Sequence, residues 1–240
     1  MTGLQFDHLV LIVRDQLDRI APYFERDGYC LTDVSVHNLG SMNRLITLDT
    51  GYIELLGWPA GKPPARKEIA DSPVGMDALV FRSYDAHETY EHLKRSGFDV
   101  NPVQRLERPV QVNGQTHMAR FDTVRFATQP IAGFRVYFCH HLTPEYLWAP
   151  EFMHHANGAK DVSRIVIESP ETAVTAQTLA ALVKQEPLAS ADNTYQIHLP
   201  NIVLTISPQL LGTVATLADV QLRHQDGRHS LFNSHLNPRV

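Results

Sequence analysis

Cysteine is scarce in these 240 residues: only Cys30 and Cys139 occur, far apart and in no C-x-x-C arrangement. Neither a disulfide framework nor a zinc ribbon is expected, and a reducing, cytoplasmic setting fits best. No apolar run approaches the roughly 20 residues that a membrane-spanning helix needs. The opening Met1-Thr2-Gly3-Leu4-Gln5-Phe6-Asp7 has no basic leader followed by an apolar stretch, so neither secretion nor membrane insertion is expected. Positive charge is also in short supply, with 21 Lys and Arg against 26 Asp and Glu and a net charge of -5. No basic run is long enough to track a phosphate backbone, which argues against a nucleic-acid partner. The patterns G-x-G-x-x-G, P-loop, G-x-S-x-G, H-E-x-x-H and EF-hand are all missing. Their absence excludes a nucleotide cofactor bound in the usual ways, and makes α/β-hydrolase and zinc-protease chemistry poor readings. A small-molecule ligand is the partner that remains.

What is present is ordinary globular material: 43% hydrophobic residues, 20% charged, and 15 Pro and 13 Gly scattered along the chain. That length carries one large domain or two small ones. The compositional excess is in histidine, with 13 residues. Aligning strand-to-helix junctions reveals an internal repeat. Phe6-Asp7-His8-Leu9-Val10-Leu11 sits over Met76-Asp77-Ala78-Leu79-Val80-Phe81, and each run reaches an aspartate at the same offset, Asp15 and Asp85. These aspartates predict helix N-caps, the second with Glu88 completing a capping box. One helix would bury Leu17, Ile20 and Phe24 and stop near Gly28, the other Tyr90 and Leu93 and stop near Gly97. Extended segments at 29–36, 45–48 and 52–56 complete a β-α-β-β-β unit. A second unit follows with a longer excursion over 101–116 and strands near 119–127 and 134–139. A third junction opens at Val162, has Ser169-Pro170 as its helix start and an alanine-rich helix over 173–184. Strands are expected at 194–199, 202–206 and 220–224, with a loosely ordered tail after Arg223.

Paired β-α-β-β-β units whose first strand carries His at its third position and whose last carries Glu resemble the vicinal-oxygen-chelate superfamily. Glyoxalase I, methylmalonyl-CoA epimerase, extradiol dioxygenases and the bleomycin- and fosfomycin-resistance proteins belong to it. The residues that carry the resemblance are Phe6-Asp7-His8-Leu9-Val10-Leu11-Ile12-Val13 and Gly51-Tyr52-Ile53-Glu54-Leu55-Leu56-Gly57. The stretch His141-Leu142-Thr143-Pro144-Glu145-Tyr146-Leu147-Trp148, with His155-Ala156-Asn157-Gly158-Ala159, is similar to a subgroup known only as glyoxalase-like domain proteins. The resemblance implies an α+β fold of repeated βαβββ modules whose curved mixed sheets form a cup. Module 1 would occupy residues 1–60 and module 2 residues 61–150, together one glyoxalase-like domain. Residues 151–240 would be an α+β region and a candidate third module.

Strand alternation predicts that Phe6, His8, Val10 and Ile12 share one face, and that Tyr52, Glu54 and Leu56 share another. A carboxylate in the apolar run at 52–56 is costly to bury unless a metal, a cation or donors satisfy it, so Glu54 is the candidate catalytic residue. Imidazole with carboxylate suits Zn, Fe, Mn or Ni. The resemblance places a divalent metal between His8 and Glu54, where it would serve a lyase, isomerase or dioxygenase acting on vicinal oxygens. Two of the four usual ligand places hold Ala78 and Tyr137 instead. His141, on the same strand side as Tyr137 and Cys139, is the substitute ligand, preferred over His140. Tyr137, Arg164 and Trp58 are candidate substrate contacts: Arg164 stands at the His8-equivalent place of the third junction and offers a bidentate fork to an anion, and Trp58 could wall an apolar pocket. Each has a plainer role open to it, as a core, rim or loop-packing residue, and Cys139 reads as core. The missing ligands keep a second function open, non-catalytic sequestration of a small compound in the same cup. Modules of this type pair within one chain or between two, which leaves a homodimer open.

Overall fold

The computed structural model describes residues 4–232, 234 and 235. Module-like order is visible from the first elements: β1 (Gln5–Arg14), α1 (Leu17–Arg26), β2 (Ser35–Val36), β3 (Met42–Thr47) and β4 (Tyr52–Gly57). A short helix α2 (Lys67–Ala70) leads into β5 (Gly75–Arg82), α3 (Ala86–Arg95), β6 (Gln104–Val112), β7 (Gln115–Arg125) and β8 (Arg135–His141). After two 3-10 turns come β9 (Ala159–Ser169), α4 (Thr172–Val183), β10 (Leu188–Ala189), β11 (Tyr195–His198), β12 (Val203–Pro208), β13 (Thr216–His224) and β14 (His229–Leu231). The fold is α+β and glyoxalase-like.

The first eight strands form one curved sheet in the order β2-β3-β4-β1-β5-β8-β7-β6. In each half the first and last strands are parallel neighbours, β1 with β4 and β5 with β8, and the halves join through the antiparallel pair β1 and β5. The curl brings the two edges together. Ser35 Oγ on β2 donates to the Pro109 carbonyl at 2.7 Å, and the buried Arg108 donates from Nη1 to Ser35 Oγ at 2.8 Å, latching β2 to β6. The excursion expected over 101–116 is therefore mostly the strand β6, paired with β7 along its length, and it supplies the far wall of the cup.

The other face of the sheet carries Leu9, Leu11, Ile53, Leu55, Leu79, Phe81, Val136 and Phe138 into one core with the helices and with Ile165 and Ile167 of the second sheet. Leu17, Ile20 and Phe24 of α1 are buried there, at the helical spacing the sequence showed, each worth about 2 kcal/mol. Asp85 caps α3, accepting from the His87 and Glu88 backbone N–H groups. Asp15 does not cap α1: the capping position falls on Gln16, with no side-chain bond, because β1 runs on to Arg14 and leaves that aspartate in the turn.

The second sheet has the order β10-β11-β12-β9-β13-β14. β9 is parallel to β12 and antiparallel to β13, which repeats the relation of β1 to β4 and β5. The chain after Arg223, expected to be loosely ordered, turns back as β14, where Ser230 Oγ bonds His224 Nε2 at 2.7 Å; residues 233 and 236–240 lie outside the described residues.

Close contacts tie this sheet to the first, Thr50 donating to Asp161 of β9 among them. Asn201 clamps the Phe6 backbone, accepting from its N–H at 3.0 Å and donating to its carbonyl at 2.8 Å. Gly133, with φ +112°, lies so close to Ala215 that a Cβ would collide with the Ala215 carbonyl oxygen. Gly133→Ala should therefore cost about 3 kcal/mol, through strain and a forced separation. Gly61→Ala, also at positive φ but with open space around it, should cost about 1 kcal/mol. Urea unfolding of both variants checks this, and equal losses would contradict it.

Candidate active site

A β-bulge shapes the site. On β1, Phe6 pairs with Phe81 and His8 with Val80, so Asp7 is an extra residue without a partner across the ladder. The bulge turns Phe6 into the helix-side core with Leu9 and Leu11, while Val10 and Ile12 line the cup side. Simple alternation therefore fails at Phe6 and holds from His8 onward. On β4 it holds throughout: Tyr52, Glu54 and Leu56 face the cup side and Ile53 and Leu55 the other.

His8 and Glu54 meet in the cup. His8 Nε2 lies 3.7 Å from Glu54 Oε2, and both side chains are buried. The His8 ring is held on all sides: Nδ1 donates to Asp7 Oδ2 at 2.7 Å, Tyr52 stacks on it at 4.3 Å between centroids, and Tyr137 Oη sits 3.0 Å from Nε2. Since the Asp7 carboxylate can only accept, the neutral ring carries its proton on Nδ1, and the one lone pair of Nε2 accepts from the Tyr137 hydroxyl, so a ligand group at Nε2 has to displace that bond. Asp7 also accepts from Arg82 Nε at 2.7 Å and from His141 Nε2 at 2.8 Å. Burial would raise the Asp7 pKa, but the two histidines more than offset it and hold the group well below the usual carboxylate range.

Glu54 Oε1 accepts from Asn43 Nδ2 at 2.6 Å. Its burial also works to raise the pKa, and is outweighed by His8, His37, the Asn43 bond and Arg108, so Glu54 stays ionised. Burial, with Glu54 next in effect, pushes the Tyr137 phenol well above its ordinary value. It remains a neutral donor.

The chamber around Glu54 is small, about 40 Å³, room for little more than one polar group. Arg66, Arg125, Arg135 and Tyr137 line both it and a neighbouring vestibule of about 510 Å³, and these four residues form the throat between the two. Vestibule and chamber together have the volume of a small-molecule site.

Three expected site residues lie elsewhere. His141 is not in the chamber; its Nε2 is bound to Asp7, so it anchors His8 indirectly and does not converge with His8 and Glu54 as a third ligand. Trp58 is buried on the cup side of the sheet with Val10, Leu56 and Ile69 and has Arg14 over its ring, but it lines neither cavity. Arg164 is exposed on β9, in the second sheet.

The cations at the cup come from residues that the sequence did not single out. Arg108 lines the chamber and is buried, and burial, with Arg125 next, pulls Arg66 down to about 10, still charged at neutral pH. His37, which lacked any telling spacing, lines the chamber with Nδ1 3.0 Å from Ser41 Oγ. Asp7 was equally overlooked, although an acid inside an otherwise apolar strand was a legible signal.

A divalent ion fits the chamber in part. His8 Nε2 and Glu54 are donors of suitable type, and the Asp7 bond to Nδ1 is the outer support that ligand histidines usually have. Tyr137 is the nearest further oxygen. A separate group, Asp7, Cys139 and His141, places its ligand atoms within 4.8 Å of one another. It fits an ion poorly: Arg82 and both histidines already occupy Asp7, and burial, then Asp7 and Glu54, push the Cys139 thiol well above its usual value.

Residues 6–183 match the glyoxalase-like domain family, and the chain belongs to it. The match spans both halves of the cup and the start of the second sheet, in keeping with the vicinal-oxygen-chelate resemblance. The overall structure is similar to that of a hypothetical protein from Staphylococcus aureus, with a TM-score of 0.76 at 15% identity, covering 96% of this chain and 99% of that one. It is also similar to a mutant of 4-hydroxymandelate synthase from Streptomyces coelicolor, with a TM-score of 0.56 at 12% identity, covering 87% of this chain and 63% of the synthase. A third likeness, with a TM-score of 0.59 at 11% identity, is to a xylose isomerase-like TIM barrel/4-hydroxyphenylpyruvate dioxygenase fusion protein, covering 92% of this chain and 36% of the fusion. These likenesses are of fold. No curated protein matches the sequence.

The chamber has a pH signature. Burial, then Glu54 and Arg108 in opposite senses, set His37, whose pKa is lowered from 6.5 to about 4. The folded state thus takes up a proton later than the unfolded chain as pH falls. The stability this represents is fully present above pH 6.5 and is lost on descent toward pH 4, by roughly 3 kcal/mol. His37→Asn should flatten the stability curve in that window. Superimposable curves for parent and variant would contradict the assignment.

Proposed function

We propose that this protein is an enzyme that moves a proton on a small metabolite bearing adjacent oxygens, a lyase or isomerase, with His8 and Glu54 at the reacting end of the cup. The observation that carries the reading is the Glu54 carboxylate, buried 3.7 Å from Nε2 of a histidine whose other ring nitrogen Asp7 holds in place. A base must lie within hydrogen-bond reach of the proton it takes, and both groups look into a chamber that admits only the end of a ligand. The Tyr137 hydroxyl, neutral and 3.0 Å from His8 Nε2, would turn from that bond to donate to developing negative charge on a substrate oxygen once a ligand enters, and buried donors act strongly there. Tyr52 fixes the plane of the imidazole, and the Arg108 latch keeps the far wall against the site.

A divalent ion of the Zn, Fe, Mn or Ni kind would be held by His8 and Glu54, with Tyr137 as the nearest third oxygen, and when bound would polarise the substrate's oxygens. The chamber offers one histidine and one carboxylate near each other; His37 does not close with them into a ligand cluster. That donor set favours proton transfer over the dioxygenase reading, because non-haem iron oxygenases use two histidines and a carboxylate. A cytoplasmic setting suits the two free cysteines.

The second reading, sequestration without chemistry, is favoured by Ala78 and Tyr137 standing where two further ligands are usual. Metal analysis of protein purified without chelator separates the two, alongside His8→Ala and Glu54→Gln. Stoichiometric metal in the parent, lost in both variants while folding is retained, is the expected result. A metal-free parent that binds small aromatic compounds equally well with and without Glu54 would support sequestration.

A further inference from the structure

The throat between vestibule and chamber holds more positive charge than the fold can use. Arg66, Arg125 and Arg135 all line both spaces. Arg135 is neutralised: its guanidinium is bound to Asp77, with Nε at 2.6 Å from Oδ2. Arg66 and Arg125 have no such partner, and neither forms an ion pair among the described residues. Arg66 Nε and Arg125 Nη1 are both buried and have no hydrogen-bond partner at all. A buried N–H of a charged group left unpaired is costly, and two like charges facing one passage add repulsion to that cost. Glu68, the one acid lining the vestibule among the described residues, acts on both at longer range but forms an ion pair with neither. Folding does not require this arrangement. Recognition of an oxyanion does, because guanidinium forks bind carboxylate and phosphate through just such paired N–H groups.

We infer that Arg66 and Arg125 bind a terminal oxyanion of the ligand. The site then takes a small anionic metabolite, with its carboxylate or phosphate in the throat and its oxygenated carbons at Glu54 and His8. This rests on the reading of the cup as a small-molecule site and gives that molecule its charge class. The chamber's size agrees, since about 40 Å³ accepts one end of a ligand and leaves the rest outside, where the guanidiniums lie.

The test uses inorganic phosphate and malonate as probes, in calorimetric titrations at low ionic strength, on the full chain. The parent should bind at least one of them saturably at one site, the tighter of the two identifying phosphate or carboxylate as the natural terminus. Arg66→Gln and Arg125→Gln should each weaken that binding about tenfold or more, whereas Arg95→Gln, on the exposed face of α3, should leave it unchanged. Without probe, both throat variants should melt at or above the parent's temperature, since each removes an unpaired cation. Binding that is the same in parent and throat variants, no saturable binding of either probe, or throat variants that fail to fold would overturn the inference. Glu54→Gln separates it from the proposed function. Probe binding that survives in Glu54→Gln and depends on Arg66 supports the anion site even if Glu54 and His8 turn out to carry no metal and no reaction.

Discussion

Burying a carboxylate costs several kcal/mol unless cations and donors surround it, and the cup is arranged around that cost at Glu54. Asn43 donates to one oxygen, His8 stands beside the other, and Arg108 adds positive potential. Those same groups fix what the chamber can do. His8 is useful only because its other nitrogen is tied to Asp7, and Asp7 tolerates full burial only because Arg82 and His141 share the load. A chain of compensated charges thus runs from the chamber at Glu54 to Asp7 near the start of β1, through groups that hold one another.

The repeat explains where this chain of charges sits. In the pairing of β1 with β5, the unpaired bulge residues are Asp7 on one strand and Asp77 on the other, since Val10 pairs with Ala78 and Leu11 with Met76. In the second sheet, Arg164 pairs with Gln221 and Val162 with Leu222, which leaves Ser163 in the same position. All three junctions that align in sequence are bulged at the equivalent residue. Each bulge residue then finds a partner suited to its place: Asp7 takes Arg82 and two histidines, Asp77 takes Arg135, and Ser163 donates to the Gln221 carbonyl. Asn201, from the turn between β11 and β12, holds the backbone just before the first bulge. The second sheet thereby supports the site without lining it.

Much of this was legible in the sequence. The order of elements and the helix faces are legible in apolar periodicity, a local signal, and Glu54 stands out as one costly acid in an apolar strand, while its meeting with His8 is what the family resemblance implies. The parts that escaped depend on contacts distant in the chain. A bulge shifts parity by one residue, so Phe6 was placed on the wrong face and Asp7 was passed over. His37, Arg66 and Arg125 reach the cup from a loop, a short helix and the end of a strand, where no spacing marks them. Arg164 stands at the repeat-equivalent place but on the second sheet, and Trp58, an aromatic at the end of a strand, packs behind the chamber's lining and not along it. Asp15 failed as a cap because β1 continued further than its apolar run suggested.

The claim on which the account turns is the charge state of Glu54. A carbon-13 NMR titration of its carboxyl, assigned by comparison with Glu54→Gln, reads that state directly. The account predicts a carboxylate at neutral pH that takes up its proton only below the ordinary glutamate value. A Glu54 carboxyl that is already protonated near neutral pH would contradict it, because the cup would then lack the cationic surroundings that every further step requires.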